Sequence, residues 1–345
     1  MMKKLSFLAI LLMGLLFLSS WAEAAKTIKI AYIPCGRIND KSWSEAGYIG
    51  AVQGKKALEA KGYKVDLKYT ESVPVAKVAA AARDYASRGY NPVILHCGTF
   101  AEAGLSAAKD FPNTWIMTAA TPLFSKNAPS YDPAQHEGSF VVGYLAGLMT
   151  KTNRVGALGG FKFPALTRQI EGFKFGARYA NPKVKAFSIY INTWEDAAKA
   201  KEAALAQIDN GADVIFAATD QAARGAFSAA KSRKVYAIAS YSDQASLAPD
   251  TILTSVLYDT PLLVKRMILK VADGTIEGKF YQSGMAAGIG TFAPYYKMEK
   301  VIPDSVKKKV AQLIEDIKAG RIKVPEYIKA NESDKLDPRK VIKRK

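Results

Sequence analysis

The chain reads as an α/β protein built of two similar lobes, each a parallel sheet covered by helices on both faces. Three observations carry that reading. Short apolar runs alternate with segments of helical period. The alternation lapses near residue 121 and then restarts. Roughly 320 residues remain once a leader is set aside, more than one compact core usually holds.

The leader comes first. Lys3 and Lys4 precede an apolar run from Leu5 to Leu18, and Ala22-Glu23-Ala24 has the small-x-small form that a signal peptidase cuts. The run is about 14 residues long, short of the roughly 20 that a membrane span needs. Residues 1–24 are therefore expected to be a signal peptide, leaving an exported, periplasmic protein. No cysteine stands at the cleavage site to take a lipid.

In the first half the strand candidates are Ile28–Ile33, Lys64–Thr70, Pro92–Cys97 and Thr114–Ala119. Helices are predicted between them at 43–61, 75–88 and 101–110, and Gly62 and Gly89 stand where carboxyl-terminal caps belong. The stretch 121–133, bearing Pro, Asn and Ser, predicts a crossing between lobes. The second half predicts helices at 137–150, 166–179, 195–210 and 222–232, with strands at 154–158, 185–190, 214–217, 235–239 and 252–256. A further helix at 262–272 and a glycine-rich β-like stretch at 280–292 imply more crossings, so each lobe is discontinuous. The expected division is 26–130 with 259–282, and 131–258 with 283–327. Residues 328–345 are expected to be a basic, disordered tail, rich in charge and without aromatic residues.

Lys and Arg number 49 against 31 Asp and Glu, a net charge of +18. The basic residues are dispersed over helix faces rather than gathered in a stripe, which argues for a solvated surface and against a nucleic-acid partner. There are two histidines and no nucleophile-elbow, zinc-helix or P-loop spacing, so an enzyme, a metal and a cofactor are all unexpected. His96 precedes Cys97 on an apolar strand, where a satisfied core histidine is the ordinary outcome. Cys35 and Cys97 end the first and third strands, which are neighbours in a 2-1-3-4-5 sheet. An oxidising compartment favours a disulfide there, while the side-chain directions of adjacent parallel strands oppose one.

Ligands of open α/β sheets bind beyond the strands' carboxyl ends, and Asn39, Asp40 and Trp43 gather beyond the first. An amide, a carboxylate and a large ring suit a flat molecule with polar edges. Phe100 holds the corresponding place after the third strand, Phe161 and Phe163 in the second lobe, and Asp220 after the strand at 214–217. Each of these residue types serves core packing as readily as ligand contact.

The stretches INDKSW (38–43), HEGSFVVGYLAGLM (136–149), RVGALGG (154–160), IEGFKFGA (170–177), NTWEDAAKAKEAA (192–204), NGADVIF (210–216) and SDQASLAPDTILTSV (242–256) occur in one order over most of the chain. In this the chain resembles the basic membrane protein family of substrate-binding proteins for ABC importers. The resemblance implies a type I periplasmic-binding-protein fold, monomeric and hinged, serving a membrane permease. It also implies a purine held between two rings, here Trp43 and Trp194, with Asn39 and Asp40 on the base edge. One departure stands out. Where the family commonly has an acidic residue on the sugar, two places before the DQ pair Asp243-Gln244, this chain has Tyr241. A tyrosine cannot accept two hydroxyl bonds as a carboxylate does. The expected ligand is therefore a free purine base or similar heterocycle. A nucleoside, a sugar or a signalling role on the same fold are the alternatives.

Overall fold

The computed structural model describes residues 26–327 and 329–342, so the leader reading at 1–24 lies outside the described residues. Two six-stranded sheets form the molecule. The first runs β11-β5-β4-β3-β1-β2, with β1 (Thr27–Pro34), β2 (Lys64–Tyr69), β3 (Val93–His96), β4 (Ile116–Ala119), β5 (Ser130–Asp132) and β11 (Phe280–Gln282). The second runs β12-β10-β9-β8-β6-β7, with β6 (Arg154–Gly159), β7 (Lys185–Tyr190), β8 (Val214–Ala218), β9 (Tyr236–Tyr241), β10 (Ile252–Leu257) and β12 (Thr291–Phe292). All pairings are parallel except that of β10 with β12. Strands such as β3 and β8 are buried along their whole length, which is why they are continuous apolar runs rather than alternating ones.

The helices cover both faces of the sheets. In the first lobe they are α1 (Trp43–Glu59), α2 (Val75–Ser87), α3 (Ala101–Asp110) and α8 (Thr260–Ala272), the last packed on α1. In the second they are α4 (Gln135–Met149), α5 (Pro164–Ala180), α6 (Ala197–Asp209) and α7 (Ala223–Ser232), with α9 (Asp304–Lys318) against α4. The stretches HEGSFVVGYLAGLM and IEGFKFGA are the facing sides of α4 and α5. Gly143 and Gly176 sit where a Cβ would overlap the backbone of Phe173 and Phe140, so these glycines set a close helix approach.

The chain crosses between sheets after Asp132, after Leu257 and after Gln282. The stretch 121–133, expected to be only a crossing, ends in β5, so the first sheet runs on to Asp132. At these crossings Arg168 of α5 pairs with buried Asp132 and, at 2.8 Å, with Glu326. Gln282 donates to Asp132 at 3.2 Å.

The tail departs from expectation. Residues 329–342 dock on the second lobe and include a last short helix, α10 (Pro338–Val341). The cause is a pair of buried charges on α5. Glu171 accepts from the Asn331 and Ser333 N–H groups at 3.0 and 3.1 Å, and Lys174 reaches Asp334 at 2.8 Å. A buried charge needs such partners, and the tail supplies them through two backbone N–H groups and one carboxylate, Asp334.

Candidate functional site

The segment that leaves β1 turns through residues 35–42 before α1 begins. Asp40 is buried there and accepts the backbone N–H groups of Ser42 (2.7 Å), Ser44 and Glu45 (both 3.1 Å). These are donors that a helix cannot satisfy in its own first turn. Asp40, read from sequence as a ligand-edge group, is therefore committed to holding α1 in place. Asn39 is exposed at the tip of the turn.

Trp43 opens α1 and is buried. Its Nε1–H donates to the His96 carbonyl at 3.1 Å, and its ring stacks on the His96 imidazole with centroids 4.4 Å apart and planes 12° apart. His96 returns the contact, Nε2 lying 3.1 Å from the Trp43 carbonyl. A carbonyl only accepts, so Nε2 carries the hydrogen and Nδ1 accepts from the Tyr131 hydroxyl at 2.5 Å. Burial lowers the His96 pKa from 6.5 to about 3, leaving a neutral, fully bonded core histidine. Cys35 and Cys97 are joined by a disulfide, their Cα atoms 5.2 Å apart.

The second lobe presents Trp194 from the loop after β7. Its ring leans on Phe161 (5.2 Å between centroids) and on Phe163 (6.3 Å), over Gly160, where a Cβ would overlap the indole. Tyr241 ends β9 at φ +76°, a backbone state that a bulky residue adopts only under constraint. Its hydroxyl donates to Gln169 Oε1 at 2.8 Å, and its ring meets the edge of Trp43 at 5.7 Å.

Between the lobes these groups close on a narrow slot with only about 10 Å³ of open space, lined by Cys35, Trp43, Gly98, Ala120, Gln135, Phe163, Trp194, Asp220 and Tyr241. Each lies at or just beyond the carboxyl end of a strand, from β1, β3, β4 and β5 on one side and β6, β7, β8 and β9 on the other. Asp220 is buried and bridges the lobes: the Ser42 hydroxyl donates to its Oδ1 at 2.8 Å, and the Trp43 N–H also faces its carboxyl. Burial first, and then the negative charge of Asp40, hold the Asp220 pKa well above the usual carboxylate range. The protonated form, which can donate as well as accept, is thereby favoured. Phe163 packs over Gly98 across the cleft, close enough that a Cβ there would overlap its ring.

The slot thus gathers Trp43, Phe163, Trp194, Asp220 and Tyr241 of the residues read from sequence. Phe100 lies instead in the first-lobe core with Ile33 and Leu95, and Phe161 supports Trp194 from outside the slot. Asp243 is exposed, accepts from the Tyr296 hydroxyl at 2.6 Å, and lines a larger neighbouring cavity of about 560 Å³. Gln135 was missed, because the helix of the second lobe starts two residues before the predicted 137. Its signal in the sequence is the family-like stretch that begins one residue later, at His136.

A family model described as "ABC transporter substrate-binding protein PnrA-like" matches residues 27–327. Among curated proteins the chain is similar to a purine-binding protein of Brucella abortus, 30% identical over 303 residues that make up 87% of this chain and 84% of that one. It is also similar to an ABC transporter nucleoside-binding protein of Lactococcus lactis, 26% identical over 314 residues, 84% of this chain and 86% of that one. A crystal structure of an ABC transporter solute-binding protein from Aeropyrum pernix superposes with a TM-score of 0.78 at 19% identity, covering 90% of this chain and 96% of that one, which shows the same fold.

Proposed function

The chain belongs to the PnrA-like family of ABC transporter substrate-binding proteins, and from that premise we propose that it captures a free purine base in the interlobe slot and delivers it to a membrane permease. The base lies between Trp43 and Trp194, each ring adding about 0.5–1.5 kcal/mol beyond the area it buries. The Asp220 carboxyl and the Gln135 amide take its polar edge. Both groups can donate and accept, as the alternating edge of a purine requires.

The observation that carries the choice of base over nucleoside is Tyr241. Its ring forms a wall of the slot and its hydroxyl is spent on Gln169. A ribose would meet an aromatic surface in place of a carboxylate, with the tyrosine hydrogen already given to Gln169, so its hydroxyls would lose their hydrogen bonds to water with one phenolic oxygen at most to accept in return.

Uptake follows hinge closure about the crossings at Asp132, Leu257 and Gln282. Ligand settles first on Trp43, and the second lobe then brings Trp194, Asp220 and Tyr241 over it, shifting the open–closed equilibrium. The test is a thermal-shift screen of protein stripped of ligand by unfolding and refolding, against purine bases, their nucleosides, pyrimidines and common sugars. A ligand at 100 times its dissociation constant adds about 2.7 kcal/mol of stability. Strong stabilisation by a base and weak stabilisation by its nucleoside is the expected result. A stronger response to the nucleoside overturns the Tyr241 argument, and a response to sugars alone overturns the heterocycle.

A further inference from the structure

The segment carrying the first-lobe wall of the slot is fastened at both ends to a single strand tip. At its start Cys35 is bonded to Cys97, and at its end Trp43 and His96 exchange two hydrogen bonds and stack. Between these ties lie Asp40, which orders the first turn of α1, and Ser42, which reaches Asp220 in the other lobe. The two sulfur-bearing residues are not equivalent. Cys97 is fully buried, whereas Cys35 is part-exposed and lines the slot.

We propose that the Cys35–Cys97 disulfide is a component of the ligand site: it holds the Trp43 segment in its binding geometry, and its Cys35 sulfur is attacked from the slot, so that ligand binding and disulfide reduction oppose each other. The proposal rests on the slot being the ligand site, as read above, and not on which flat ligand it takes. The chemistry is ordinary exchange with a dithiol. A thiolate of the reductant bonds to the Cys35 sulfur and Cys97 leaves as thiolate; the reductant's second thiol then displaces Cys35. Two electrons pass from the dithiol, which ends as its own cyclic disulfide, and both cysteines end as thiols. A ligand lying against Cys35 blocks the first attack. Separately, reduction loosens the Trp43 segment and so weakens binding, and by linkage the ligand shifts the redox equilibrium toward the disulfide by that same factor.

The experiment uses the whole mature protein with hypoxanthine as probe and dithiothreitol as reductant, reading free thiols by alkylation and mass spectrometry. Saturating hypoxanthine is expected to slow reduction about tenfold or more, and the reduced protein, like the Cys35→Ser/Cys97→Ser variant, to bind about tenfold more weakly through lost preorganisation. A lower melting temperature with unchanged affinity, or a reduction rate indifferent to hypoxanthine, overturns the proposal. If hypoxanthine and every other purine fail to stabilise the oxidised protein, the reading of the ligand has failed, and hydrogen exchange on the wild type decides the disulfide separately. Faster exchange on reduction at the Ser42, Ser44 and Glu45 amides, with β1 and β3 unchanged, supports it; exchange unaltered at those amides overturns it.

Discussion

The two aromatic walls of the slot are built differently. Trp43 is fixed by a hydrogen bond from its indole, a stacked imidazole, a capped helix start and a nearby covalent link. Trp194 is held by the tilted and edge contacts of Phe161 and Phe163 on a part-exposed loop. On the proposed reading, the first would be a prepared surface on which a flat ligand loses little further entropy on landing, and the second a cover placed by closure. Affinity should therefore concentrate in the first lobe, and the timing of capture in the second.

That contrast can be broken most directly by removing each ring in turn. Trp43→Ala is expected to cost purine binding about 100-fold or more, close to 3 kcal/mol, and Trp194→Ala about tenfold, both by isothermal titration with circular dichroism to confirm the folds. The reverse order would show that the cover, not the base, holds the ligand. Next in size is Gly98→Ala. Its Cβ would run into the Phe163 ring and the Ala120 carbonyl, holding the lobes apart, and about a tenfold loss of affinity with a wider particle in small-angle scattering is expected. Unchanged scattering with ligand present would mean that closure does not bring Phe163 onto Gly98.

Ser42→Ala tests the link between the lobes. It removes the side-chain donor to Asp220, and a loss of about 1–2 kcal/mol in binding is expected, appearing in the dissociation rate by stopped-flow fluorescence. An effect confined to the association rate would place that bond in the open form.

The smallest effect concerns pH and belongs to the fixed wall. His96 has a folded pKa of about 3 against 6.5 unperturbed, so between those values the unfolded chain takes up a proton that the folded one refuses. Stability is present above pH 6.5 and falls as pH drops toward 3, by up to about 1.4 kcal/mol per pH unit for this residue. His136, also lowered to about 3, adds to the slope. The raised carboxyls of Asp40 and Asp220 act with the opposite sign, their contribution being lost as pH rises through their folded values. Urea unfolding at a series of pH values should show His96→Gln flattening the acid slope by one histidine's share; an unchanged slope would mean that His96 is protonated in the folded state.

The strands and helices of both lobes were legible because buried parallel strands leave unbroken apolar runs and glycines such as Gly62, at φ +89°, mark the helix ends. β5 was not, since Ser130, Tyr131 and Asp132 have no apolar pattern and form a strand only through their neighbours. At the site, the rings were legible as rare large residues beyond strand ends. The roles of carboxylates were not: whether Asp40 faces a ligand or a helix start depends on where the orphan N–H groups point, which is a matter of three dimensions. Phe161 and Phe163 illustrate the same limit, two residues apart in one loop with only the second turned into the slot.

The lobes are also completed late. One edge strand of the first sheet is β11, at residues 280–282, and the buried Glu171 and Lys174 of the second lobe find their partners, beyond each other, at 331–334. While the protein is being made, then, the first lobe waits for residue 282 and the second for residue 334 before either reaches its final form. A nascent chain of this plan keeps its first sheet one strand short until residues 280–282 have been made, and the buried charges of α5 without these partners until residues 331–334 follow.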